Sequence, residues 1–87
     1  MIIVFKPYCK MHTGDYNMIE VVYDFDKKSK KSVVRFEKPD AKLCFKVFEC
    51  ELPSYRVLNN VGFSEAEVKH LLEFCMCNAS LLLTEDA

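Results

Sequence analysis

Glycine is almost missing from this chain, two residues in 87. So few exclude a Gly-rich phosphate-binding loop, a collagen-like repeat and a low-complexity segment. Arginine is equally scarce, Arg35 and Arg56 alone, which removes the usual bidentate reader of phosphate and guanine. Long apolar runs are lacking too. Met1-Ile2-Ile3-Val4-Phe5 is too short, with Lys6 and Pro7 behind it, for a signal peptide or a membrane span. No internal repeat or linker is visible, and the length excludes a two-half dinucleotide-binding fold or a long solenoid. The chain reads as one domain, residues 1–87.

What is present is apolar and polar in folding proportion, 51% hydrophobic and 29% charged, too hydrophobic for disorder. A domain this small buries roughly 60% of the surface of its open chain, so its stability is modest unless it self-associates or binds a partner. Five cysteines, Cys9, Cys44, Cys50, Cys75 and Cys77, are an odd number. They point to a reducing, cytoplasmic setting in which thiols act as small buried hydrophobes, with the Asn78-Ala79-Ser80 sequon a chance match.

Local patterns place the elements. Ile2 to Phe5 is β-branched and reads as a first strand ended by Pro7, with a loop over Cys9 to Tyr16. Met18 to Phe25 alternates, Ile19, Val21, Tyr23 and Phe25 on one face, and is the clearest strand. Asp26 to Ser32 is polar and precedes Val33-Val34-Arg35-Phe36-Glu37, which makes a hairpin with Lys27, Lys28, Lys30 and Lys31 at its tip. Pro39 and Asp40 mark the next turn, Lys42 to Glu51 a fourth strand ended by Pro53, and Tyr55 to Leu58 a short fifth broken by Asn59-Asn60 and Gly62.

The final element is a helix whose start is written in its chemistry. Ser64 caps the Glu67 amide while the Glu67 carboxylate reaches back to the Ser64 amide, and Phe63 and Val68 form a hydrophobic staple. At 100° per residue, Val68, Leu71, Leu72, Cys75, Ala79 and Leu82 fall in one arc that should lie on the sheet, while Glu65, Lys69 and Glu73 face away at ion-pair spacing. Strands first and one helix last make an α+β domain: a small, mainly antiparallel sheet of four to five strands with one C-terminal helix packed on one face.

Charge layout carries the strongest functional signal. The chain's formal charge is −1, yet Lys27 to Lys46 holds eight basic residues against two acids. Such a hairpin suits an acidic protein face or a phosphate backbone, although lysine on a hairpin also serves plain solubility and guards sheet edges. The expected contacts are Lys27, Lys28, Lys30, Lys31 and Arg35. A second apolar seam on the helix, His70, Phe74, Cys77 and Leu81, lies about 120° from the first and is either wrapped as core or left as a partner or homodimer surface.

Chemistry-bearing constellations are incomplete. Cys9-Lys10-Met11-His12 has one zinc-like spacing, but Cys75 and Cys77 point about 200° apart on a helix and cannot share an ion. His70 and Cys77 stand about 10 Å apart along the helix axis, beyond hydrogen-bond reach, and no oxyanion site or paired acids accompany Cys9 and His12. The sequence therefore leads to a non-enzymatic binding module without metal, cofactor or membrane partner. Its expected role is a small inhibitor or adaptor, of the accessory type that phages and mobile elements encode, docking on the acidic face of a larger protein through the basic hairpin. The alternative is a sequence-tolerant RNA or single-stranded DNA binder using the same lysines, with Tyr23, Phe36 or Phe48 as stacking platforms.

Overall fold

The computed structural model describes residues 5–12 and 18–84. Five strands follow one another as an antiparallel meander in the order β1-β2-β3-β4-β5: β1 (Lys6–His12), β2 (Met18–Asp26), β3 (Lys31–Asp40), β4 (Cys44–Leu52) and β5 (Arg56–Val61). The helix α1 (Glu65–Leu82) then returns across one face, packing on β3 and β4. This is the α+β arrangement expected from strands first and helix last.

Alternation builds the core. Register pairs Val21 with Phe36 and Phe36 with Phe48, so one row of apolar residues crosses three strands on the helix side. Ile19, Val21, Tyr23, Val34, Phe36, Phe48, Cys50 and Leu52 from the sheet meet Leu71, Cys75 and Leu82 from the helix, all buried. Ser32 is the one buried polar residue among them, and its hydroxyl donates to the Asp24 carbonyl at 3.2 Å, so its burial leaves no unpaired group.

Three local readings are corrected. The first strand is Lys6–His12, not Ile2 to Phe5, and it runs through much of the stretch read as a loop; Ile2 to Val4 lie outside the described residues. Pro7 is accommodated because β1 is an edge strand with a bulge at Tyr8. Pro39 sits inside β3, paired with Phe45, because the β2 ladder ends at Glu37 and a proline beyond it interrupts nothing on that side. Asn59 and Asn60 do not break β5: they pair with Glu49 and Phe48, and the Asn60 side chain exchanges two hydrogen bonds with the Phe63 backbone. The reversal comes afterwards, at Gly62, whose φ of 91° is open to glycine at little cost.

The helix start is as read. Ser64 is the N-cap, its hydroxyl accepting from the Glu67 amide at 3.2 Å while its own amide donates to Glu67 Oε1 at 3.0 Å. The Ser64 amide holds the Glu67 carboxyl below its ordinary value of 4.5. A lowered folded value means that this stabilisation is complete above the unfolded pKa and disappears as pH falls through the lowered one. Ser64→Ala is expected to cost about 1 kcal/mol, read as a fall in Tm of roughly 4–8 °C at neutral pH. Alanine keeps the amide that binds the Glu67 carboxylate and loses only the hydroxyl's smaller share, so the difference from the unaltered chain should narrow only slightly in acid.

Candidate functional site

The turn between β2 and β3 is built by Asp26. Its carboxylate accepts from the Lys28 amide and the Ser29 hydroxyl, both at 3.0 Å, and its carbonyl accepts from the Lys30 amide at 2.8 Å. These bonds hold the Asp26 carboxyl below the usual carboxylate range, the Lys28 amide first. The acid nearest the tip is thus engaged with the turn's own backbone, and Lys27, Lys28, Lys30 and Lys31 are exposed around it. Lys30 takes the left-handed conformation, φ 56°, that lets the chain reverse into β3.

The remaining cations of the basic stretch do not join this cluster. Lys38 pairs with Lys46 across β3 and β4, seven residues from Lys31 and so about 23 Å along the strand. There the two stand beside the helix start, Lys46 Nζ 3.9 Å from Glu67 Oε1, both cations lowering the Glu67 carboxyl. Arg35 is set apart as well. It lies half-buried on the uncovered sheet face, Nε 2.7 Å from Glu37 Oε1, its guanidinium 5.9 Å from the Phe5 ring centre, with Glu49 paired across on β4. The contiguous stretch in sequence becomes two basic ends of one sheet, because an extended strand carries its first and last residues apart. Arg35 therefore does not belong to the hairpin tip.

The helix seam is also divided. Phe74 turns toward β1, edge-on to Tyr8 at 6.1 Å and to Phe36 at 5.8 Å, and Tyr8 donates its hydroxyl to Asn78 Oδ1 at 2.7 Å. The N-terminal strand covers this member of the seam. His70, Cys77 and Leu81 stay exposed, with His70 Nδ1 3.8 Å from Glu73.

Cys9 and His12 both lie on β1, three residues apart, where alternation sends their side chains to opposite faces. Among the described residues no three His, Cys, Asp or Glu side chains gather closely enough to hold a metal ion. The thiols divide as well: Cys50 and Cys75 are buried with sulfurs 3.5 Å apart, but Cys9, Cys44 and Cys77 are exposed, contrary to the expectation of buried thiols throughout. Those three fall on an edge strand, the first position of β4 and the outer side of the helix, places that the sheet and helix do not cover together.

Two features had no sequence signal. One is a cleft of about 300 Å³ where Met11, Ile19, Phe63 and Leu71 make an apolar floor and His12, Lys38, Glu67 and His70 stand around it. The other is β5, none of whose six residues is buried. Both depend on which elements the helix reaches, and periodicity does not state that. Comparison with protein-family models, with curated proteins and with solved structures finds no match to this chain. Among the described residues no helix is long and apolar enough to cross a membrane.

Proposed function

We propose that this chain is a non-enzymatic binding domain that docks on the acidic face of a larger protein through the β2–β3 turn, acting as an inhibitor or adaptor by occupying that face. The observation that carries this reading is the turn itself: four lysines in five positions, arranged around an aspartate whose carboxylate accepts from the Lys28 amide and the Ser29 hydroxyl. A turn held by its own hydrogen bonds fixes the backbone from which the lysines project, so that the side chains alone remain to be ordered on binding. The net positive charge of this end, four ammonium groups against the Asp26 carboxylate, also raises the rate of encounter with an acidic surface, an effect that salt weakens. The docking residues are Lys27, Lys28, Lys30 and Lys31, without Arg35.

The nucleic-acid alternative loses the three stacking platforms expected for it. Tyr23, Phe36 and Phe48 are buried in the core, so none offers a face on which a base could stack.

The test uses the whole chain and a K27E/K28E/K30E/K31E variant, immobilised and exposed to a nuclease-treated lysate of the native host, with bound proteins crosslinked and mapped. The expected result is one partner held at low salt, crosslinked through the tip lysines to an acidic segment and lost from the variant. A partner retained equally by both proteins sinks the proposal. So does retention of single-stranded oligonucleotides whose log affinity falls linearly with log salt, which would restore the alternative.

A further inference from the structure

The core holds two side chains with chemistry of their own. Cys50 lies on the helix-facing side of β4, opposite Val34, and Cys75 lies in the stripe that α1 lays on the sheet. Both are wholly buried, and their sulfurs stand 3.5 Å apart, each the other's hydrogen-bond partner. A disulfide needs about 2.05 Å. Each sulfur then has to move by about 0.7 Å, the displacement that a rotation of roughly 25° about its Cα–Cβ bond gives, inside the width of a rotamer well.

The fold also keeps rival thiols away. Cys77 follows Cys75 by two positions and points about 200° from it around the helix. Cys44 opens β4, about 20 Å along the strand from Cys50, and Cys9 lies on β1, about 14 Å across the sheet from β4. Each buried sulfur has one sulfur within reach.

We propose that Cys50 and Cys75 are a redox pair, oxidised by a low-molecular-weight disulfide of the glutathione type to an intramolecular bond that staples α1 to β4. One cysteine thiolate attacks the small disulfide, forming a mixed disulfide and expelling one small thiolate. The other cysteine thiolate then attacks the protein sulfur of that mixed disulfide and expels the second. The two cysteine protons go to these products, so two cysteine thiols and one small disulfide give one protein disulfide and two small thiols. Reduced, the helix is held by packing; oxidised, it is fastened, and the domain's resistance to opening follows the thiol–disulfide balance around it.

Both sulfurs are sealed, so the reagent enters only when α1 lifts. Access governs the rate and geometry governs the equilibrium. By linkage, the factor by which the native fold favours the bond over the unfolded chain equals the factor by which the bond lowers the unfolding constant. For cysteines 25 positions apart, loop-closure entropy puts that factor on the order of 300.

The test uses the full chain carrying C9S, C44S and C77S, all at exposed positions, which leaves one possible intramolecular bond. It is equilibrated with oxidised and reduced glutathione, approached from both sides, in buffer and in concentrated urea, then alkylated and weighed. The ratio of closed to open chain in buffer should exceed that in urea at least about tenfold, and on the order of 300-fold where the bond closes without strain. The oxidised domain should keep its circular dichroism and melt more than about 10 °C higher, an increase that reduction reverses. Peptide mapping of the unaltered chain oxidised in buffer should recover Cys50 joined to Cys75. A buffer-to-urea ratio below about tenfold, an oxidised chain that loses helix signal or gains no Tm, or Cys50 and Cys75 bonded instead to the exposed cysteines would each overturn the proposal.

Discussion

Cutting Phe36 back to alanine is expected to remove about 3–5 kcal/mol of stability, from transfer of the ring and from the cavity it leaves. A typical domain holds about 5–15 kcal/mol in all, and a chain this short sits toward the low end. Phe36 occupies the middle strand, fully buried, with Phe48 at 6.0 Å beside it and Phe74 edge-on at 5.8 Å above. These two rings cannot collapse into the space without leaving their own rotamers, so relaxation recovers little. Phe45 is the matched control. It is the same residue type on the neighbouring strand and 50% exposed, so its alanine variant should stay within about 0.5 kcal/mol of wild type. Urea titration of both variants measures the contrast, and equal midpoints would mean that the helix does not cover β3.

Thiol labelling should divide the five cysteines sharply. Cys9, Cys44 and Cys77 are exposed and should react with an aromatic disulfide reagent in the folded state, Cys9 the more slowly because partial burial pushes its thiol up. Cys50 and Cys75 join the sheet to the helix with no surface of their own in solvent. Hydrogen bonding to the Cys50 sulfur, together with burial, pushes the Cys75 thiol above the ordinary cysteine range, which disfavours the reactive thiolate. Their labelling has to wait for the domain to open, and should therefore be slower on the order of a thousandfold or more. Denaturant should bring all five to one rate. Four or five fast thiols in the native protein would show that α1 is not seated on β4.

The capping box could be read directly because its partners are three residues apart and its bonds form within one turn. The β2 strand was equally plain, since Ile19, Val21 and Tyr23 alternate without interruption. Strand ends were harder. Whether Pro7, Pro39 or Asn60 ends a strand depends on whether the neighbouring ladder still needs that residue's amide, and the neighbour belongs to another part of the chain. The candidate site shows the same division. Four clustered lysines around a turn remain together because the turn is local, but Arg35, Lys38 and Lys46 were grouped with them by sequence distance and then carried away by the length of β3.

From the order of residues alone came the α+β class, the single helix with its cap, the apolar stripe it lays on the sheet and the lysine tip, all of which rest on interactions within a few residues. Only tertiary structure decided that Phe74 turns under Tyr8 while His70, Cys77 and Leu81 stay outside, that two of five thiols are sealed, and that β5 is left bare. The reason is geometric. One helix seated on β3 and β4 cannot also cover the far edge of a five-stranded sheet, and no periodicity within a strand records how far a distant helix reaches.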